Sequence, residues 1–173
     1  MAAVRLRYPN HRTVSLLEPR LFRRSRGIRY IHPVHEQLDV KDATAVLSNV
    51  TLLHHGYIEV EALMAKERRN LALAESMGNA SLHGLHCIVR SSFSLGDWPR
   101  TLATARHFLG KDATFVLKEE VCALGGAAAF NLRDTSSLSE MITAGLALAP
   151  ESPDFRFLAL LAAASRYLDA IED

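Results

Sequence analysis

The spacing of apolar residues changes once along this 173-residue chain, near Gly56, and the change divides the fold into two parts. Before Gly56, apolar and polar residues alternate over short stretches, which is typical of strands. After Gly56, apolar residues recur every three or four positions, and short breaks rich in Gly, Asp, Ser or Pro interrupt the pattern, as in a row of helices. The sequence therefore predicts an α+β fold that is mostly α. Its parts would be a β segment at 1–57, a connecting helix at 58–78 and helical repeats at 79–173.

Four stretches of the β segment are predicted strands. Residues 4–8 and 20–23 alternate between two faces, and a turn at Gly27 leads into a further strand that runs from Ile28 to Pro33. Val46–His54 is the strongest prediction, because it is apolar and contains β-branched residues. The polar stretch Leu38–Ala45 between these strands is predicted to be a loop.

Six helices are predicted after residue 58. Their bounds are Glu59–Met77, Leu82–Leu95, Trp98–Leu109, Ala113–Phe130, Leu138–Ala149 and Asp154–Ile171. Asp97 is the expected N-cap of the third helix, and the pattern Ser137–Glu140 resembles a capping box that opens the fifth.

Two of the breaks between helices match each other. Gly96-Asp97 and Arg133-Asp134 lie 37 residues apart, and each separates two helices. A period of this length with two helices per repeat resembles the tetratricopeptide repeat. Such arrays usually present a groove to a protein partner or support a neighbouring domain.

The charge is divided unevenly. Residues 1–30 hold eight arginines against Glu18, a net charge of +7, whereas the rest holds 12 basic against 18 acidic residues, a net of −6. A basic end suits phosphate, nucleic acid or an anionic surface. Few aromatic residues lie between the arginines, so nucleic acid is not the expected partner. No apolar run approaches the roughly 20 residues of a membrane span, and the two distant cysteines favour reduced thiols and a cytoplasmic location.

The chemistry-bearing residues concentrate in one region. The chain has no phosphate-binding loop, no dinucleotide-binding glycine pattern and no acid-x-acid metal motif. The remaining candidates follow two predicted strands, and they are His32, His35, Glu36, His54 and His55. These side chains could bind a divalent metal, orient a hydroxyl nucleophile or contact a phosphate.

Several motifs occur in an order that resembles one family. They are RLFRR at 20–24, GIRY at 27–30, VHE at 34–36, HHGY at 54–57 and KERRNL at 66–71. This combination is similar to the bacterial family 2 glycosyltransferases that carry tetratricopeptide repeats after the catalytic domain. The match is closest over residues 18–78. His32, where a glycine or small residue is more usual, departs from the family pattern.

The resemblance implies a GT-A fold, of which residues 1–57 would be the incomplete acceptor-side region. It places His35 and Glu36 near the site of sugar transfer. It also implies that Arg20, Arg23 or Arg24 offsets phosphate charge, and that one of His54 and His55 lies near the donor's pyrophosphate or its metal. The whole family member would use manganese or magnesium, a nucleotide-sugar donor and a glycan or protein acceptor.

One departure limits this hypothesis. A donor-binding half would take on the order of 150 residues, whereas nineteen residues precede Arg20 and they contain no acidic motif. We therefore expect a C-terminal fragment that is inactive alone, with a degenerate relative or a subunit of a larger enzyme as alternatives. A second hypothesis is a non-catalytic repeat module that binds a protein partner.

Overall fold

The computed structural model describes residues 2–7, 16–23, 27–39, 46–53, 59–78 and 81–172. The strands are β1 (Ala2–Arg7), β2 (Leu16–Leu21), β3 (Tyr30–Ile31), β4 (Gln37–Leu38) and β5 (Val46–Leu53). The helices are α1 (Val60–Ser76), α2 (Leu82–Ser94), α3 (Trp98–Leu109), α4 (Phe115–Asn131), α5 (Thr135–Leu148) and α6 (Pro153–Glu172). The prediction of a mostly helical chain with a small β segment is confirmed.

The five described strands form two small sheets. In the first, β1 lies between β2 and β5, antiparallel to β2 and parallel to β5. In the second, β3 and β4 form an antiparallel hairpin. The chain divides into two compact units, Met1–Lys66 and Glu67–Asp173.

The strand predictions succeed where the apolar pattern is long and need correction where it is short. The prediction of a strand at Val46–His54 agrees with β5 over its described residues. The predicted strand at 20–23 begins earlier, at Leu16, and ends at Leu21. The predicted strand from Ile28 to Pro33 is reduced to two residues, and Leu38, expected in a loop, belongs to β4. The hairpin is the physical reason for both differences. Its tip starts directly after Ile31, which ends β3, and the returning strand pairs Leu38 with Tyr30.

Equivalent corners end α2 and α4. Gly96 has a φ of 75° and Arg133 a φ of 56°, so both residues are in the left-handed region. In each corner two amide hydrogens bond back to the final turn of the preceding helix: those of Gly96 and Asp97 in the first, and those of Arg133 and Asp134 in the second. The chain therefore turns in the same way at two positions 37 residues apart.

The start of α5 differs from the prediction. Asp134 is the N-cap, and its side chain accepts a hydrogen bond from the Ser137 backbone amide at 3.0 Å. The capping-box prediction for Ser137–Glu140 is therefore wrong. Ser137 is a buried residue of the first turn, and its hydroxyl bonds to the Asp134 carboxylate. Asp97 caps α3 as predicted, through the Arg100 amide at 3.2 Å.

Helices α2 to α6 pack around two buried apolar clusters. One cluster joins α2, α3 and α4, and its members are Leu85, Val89, Ala105, Phe108 and Val121. The other joins α3 to α6, and its large members include Leu102, Leu138, Met141, Phe155 and Leu158. Burying each large side chain contributes about 1.5–3 kcal/mol before the loss of conformational entropy is counted. Contacts of α4 with α2 and with α6 place these alternate helices side by side.

Within the described ranges, every helix is too short or too polar to cross a lipid bilayer.

Candidate functional site

The β3–β4 hairpin presents the predicted VHE motif at its tip. Tyr30 pairs with Leu38 and Ile31 pairs with Gln37, so residues 32–36 form a five-residue connection between the strands. Below this pairing, the Asp39 amide donates to the Arg29 carbonyl at 2.8 Å. Arg29 Nε also lies 3.7 Å from Asp39 Oδ2. The base of the hairpin is thereby closed by a backbone hydrogen bond, and an exposed ion pair adds little to it.

Two histidines in the tip adopt a backbone conformation that is uncommon for residues with a side chain. His32 has a φ of 69° and His35 a φ of 48°. The left-handed region costs a non-glycine residue roughly 1–2 kcal/mol. Between them Val34 is buried, with 3% of its surface exposed. Val34 is thus the buried residue among residues 32–36, and its burial is one anchor of the tip.

The candidate catalytic pair lies beside this anchor. His35 is half-buried and Glu36 is exposed, so an imidazole and a carboxylate are adjacent at the surface of the hairpin. An imidazole can accept or donate a proton near neutral pH, and a carboxylate can orient a hydroxyl group. The pair therefore has chemistry suited to positioning an alcohol.

The predicted phosphate-binding arginines are described only in part. Arg20 lies in β2, but its side chain is outside what the structure describes, and Arg24 lies outside the described residues altogether. Arg23 is exposed. The neighbouring Phe22 ring packs edge-on against Tyr30 of β3, with 6.1 Å between ring centres. This contact brings Phe22, and with it the adjacent residue Arg23, next to the hairpin.

His54 and His55, the predicted metal ligands, lie outside the described residues. Within the part of the chain that the structure does describe, no three His, Cys, Asp or Glu side chains group together as metal ligands. Manganese or magnesium binding by His54 or His55 therefore stays a prediction.

The KERRNL motif divides into buried and exposed residues. Glu67 and Asn70 are buried, whereas Arg68 and Arg69 are exposed on the same helix. The Glu67 carboxylate accepts a hydrogen bond from the Ser91 hydroxyl of α2 at 2.8 Å. Part of this motif therefore has a packing role between α1 and α2.

A polar cluster between α2 and α4 was not predicted. His86 Nε2 lies 2.8 Å from Glu120 Oε2, and Arg90 Nε lies 3.2 Å from the other carboxylate oxygen. Burial raises the pKa of the neighbouring Cys87 thiol to about 11, against a smaller opposing effect of Arg90. The four-residue spacing of His86 and Arg90 shows in the sequence that they share a helix face. Their partner is distant in sequence and could not be identified by spacing.

A second unpredicted cluster connects α3 with α5. Arg106 donates to Glu140 through Nε at 3.0 Å and through a terminal nitrogen at 2.7 Å, and that terminal nitrogen also donates to the Ser137 hydroxyl. The hydrogen bond from the Ser137 hydroxyl is the largest cause that holds the pKa of Asp134 below its ordinary value of 3.8. This cluster therefore links α3 to α5 through side-chain hydrogen bonds.

The sequence matches no model of a known protein family, and a search of curated proteins finds no significant match.

Proposed function

We propose that this chain is the acceptor-side end of a sugar-transferring domain, joined to tetratricopeptide-like repeats. The ordered motif set supports the family-level part of this proposal. One structural observation carries the site: residues 32–36 form a strained hairpin tip that presents His35 beside Glu36. Strained backbone of this kind persists when surrounding contacts hold it, and it concentrates at functional sites.

The proposed reaction moves a sugar from a nucleotide-sugar to an alcohol. The acceptor oxygen forms a bond to the anomeric carbon while the bond to the nucleoside diphosphate breaks, and the acceptor proton passes to a base. His35 and Glu36 would orient the acceptor hydroxyl. Arg23, exposed next to the hairpin, would lie among the cations that stabilise the departing diphosphate. The predicted metal ligands, His54 and His55, lie outside the described residues, so no step is assigned to a metal.

A fusion protein tests this proposal. The chain is joined in frame to the donor-binding half of a family 2 glycosyltransferase, and binding of UDP- and GDP-sugars with manganese is measured by isothermal titration, together with sugar transfer. We expect no donor binding by the chain alone, but binding and transfer by the fusion. Donor binding by the chain alone would contradict our proposal that a separate half of the enzyme binds the donor.

Variants of the hairpin tip test the site assignment in the same fusion. His35→Ala and Glu36→Gln should each lower kcat at least about tenfold, as expected when a positioning group is lost. Gln37→Glu is the matched control, because Gln37 is exposed and adjacent to Glu36 but lies in β4. Full transfer by both tip variants would remove His35 and Glu36 from the site.

The helical array favours a second candidate function, a module that binds a protein partner. The observation is the repetition of one corner geometry at Gly96 and Arg133, which stacks α2 to α6 as successive hairpins. Stacked hairpins offer extended surfaces to partners. Cross-links between the full chain and a captured protein should map to α2–α6. Cross-links confined to the β3–β4 hairpin would contradict this function.

A further inference from the structure

A cleft of about 160 Å³ lies between α5 and α6. Its lining consists of three hydroxyl side chains and two apolar side chains of α5 and two small residues of α6. These residues are Thr135, Ser139, Thr143, Leu138, Ile142, Ala159 and Ala162. The exposed hydroxyls form a rim, and the apolar residues form the floor.

The 37-residue repeat gives each of these residues a counterpart in the preceding hairpin. Leu138 corresponds to Thr101, which faces α2 and bonds to Ser92. The other six lining residues, taken in chain order, correspond to Trp98, Leu102, Ala105, Arg106, Cys122 and Gly125. These six counterparts belong to α3 and α4 and therefore form the corresponding surface one repeat earlier.

In the preceding repeat, this corresponding surface is covered by α5. A Cβ added at Gly125 would lie 3.0 Å from Met141 Sδ and 3.1 Å from Ala105 Cβ. Leu102 and Cys122 share one buried cluster with Leu138 and Met141. Arg106 completes the contact through its hydrogen bonds to Glu140 and Ser137.

We propose that the α5–α6 cleft binds an amphipathic α-helix of a partner protein, in the position that α5 takes against α3 and α4. This inference rests on the second candidate function and specifies its surface. The occupant follows from continuity with an interface that the chain already makes, because the cleft repeats that interface by one hairpin.

The replaced residues define the chemistry of the partner helix. Thr143 stands where Arg106 binds the Glu140 carboxylate, so the partner needs no acid at that position. Ile142 and Ala162 are larger than Ala105 and Gly125, so the floor of the cleft leaves less room than the surface that receives Met141. The partner helix therefore needs no acidic residue opposite Thr143, and it carries a small residue at its centre.

A labelled peptide tests the proposal on the full chain. The probe is the sequence of residues 135–149 with Glu140→Gln and Met141→Ala, and binding is followed by fluorescence anisotropy. We expect saturable binding that Ala162→Trp weakens at least about tenfold, a difference of roughly 1.4 kcal/mol. Phe157→Ser is the matched control on α6, since Phe157 is 60% exposed and does not line the cleft. Equal binding to both variants would overturn the proposal, as would no saturation below about 1 mM.

A gain-of-affinity variant covers the case in which Ala162→Trp fails to fold. Thr143 is exposed, and Thr143→Arg restores the cation that Arg106 supplies in the preceding repeat. A peptide that retains Glu140 should then bind about two- to fivefold more tightly, and the Glu140→Gln peptide should not. An identical response of the two peptides would show that the 37-residue register does not describe the cleft.

Two outcomes separate this inference from the function on which it rests. If the Ala162→Trp variant still binds a captured partner, the cleft is not the binding site, but the proposal that the chain is a protein-binding module remains. Self-association of the chain that Ala162→Trp abolishes, without peptide binding, would overturn the choice of a partner helix and identify a second copy as the occupant.

Discussion

Gly96 and Arg133 take the same left-handed backbone conformation at the ends of α2 and α4, although only one of them is a glycine. The shared conformation follows from the equivalent hydrogen bonds that close the two corners. A side chain is strained in this region, whereas glycine is not. The second corner is therefore the less favourable of the two.

Replacing Arg133 with glycine should stabilise the protein. Arg133→Gly relieves the steric cost of the left-handed residue and adds some entropy to the unfolded chain, so we expect a net gain of up to about 1 kcal/mol. Urea unfolding measures it. Gly96→Ala is the matched control and should be destabilising by about 1 kcal/mol. A loss of stability in Arg133→Gly would mean that its side chain contributes more than its backbone costs.

The close packing of Gly145 against Phe155 should make the glycine hard to replace. A Cβ at residue 145 would overlap the Phe155 ring, which is fully buried. We expect Gly145→Ala to cost about 1–3 kcal/mol of unfolding free energy through overpacking. Adding Phe155→Leu should recover part of this cost, and a double-mutant cycle measures the coupling.

The control for this substitution is another helix-associated glycine. A Cβ at Gly110 would have its nearest neighbour at 3.6 Å, an ordinary contact. Gly110→Ala should therefore change stability by less than about 0.5 kcal/mol. Equal losses at residues 110 and 145 would contradict a specific overlap with Phe155.

Asp134 should make stability depend on acid pH. Hydrogen bonds from Ser137 lower the pKa of its carboxyl in the folded state. The resulting stabilisation is present above the ordinary value of 3.8 and is lost as pH falls through the lowered folded-state pKa. The urea midpoint of Asp134→Asn should therefore differ most from the wild type near neutral pH, and the two should converge in acid.

Ser137→Ala tests the cause of this pH dependence. The Ser137 hydroxyl is the largest contributor to the lowered pKa, so its removal should reduce the pH dependence while Asp134 remains in place. An unchanged pH profile in Ser137→Ala would assign the effect to a different group.

Both cysteines should resist thiol reagents in the folded protein. Cys87 and Cys122 are fully buried, and burial raises the pKa of each thiol to about 11. The reactive thiolate is therefore scarce at neutral pH, and the reagent has no access. We expect no reaction with Ellman's reagent in the native state and reaction of two thiols in urea. Rapid labelling of the native chain would contradict the packing of α2 and α4.

The helices could be predicted from sequence because each carries several turns of apolar spacing and ends at a strong break. The third helix was predicted at its observed bounds, Trp98–Leu109, since Asp97 and Gly110 flank it. The fifth was misplaced because two capping patterns compete within seven residues. Asp134 prevails over Ser137, since only Asp134 directly follows the left-handed corner.

The sequence points to the residues of the candidate site but not to their geometry. The VHE motif singles out His35 and Glu36, and their role in a site stays a prediction, whereas the hairpin tip that carries them is a result of the structure. The left-handed conformation of His32 and His35 arises because the five residues 32–36 must reverse the chain between paired strands. The local sequence pattern does not indicate this pairing and therefore does not predict the conformation. The cluster of His86, Arg90 and Glu120 depends on helix packing, which residue spacing alone does not encode.

The parallel pairing of β1 with β5 has a consequence for the order of folding. Ala2 pairs with Val46, so the sheet requires residues 44 positions apart to meet before its hydrogen bonds can form. Contacts between successive helices close much shorter loops, which lose less entropy and form faster. The helical array can thus become ordered before β1 has paired with β5. The rate at which the chain reaches its complete fold is then set by one six-residue strand, β1, and its pairing with β5.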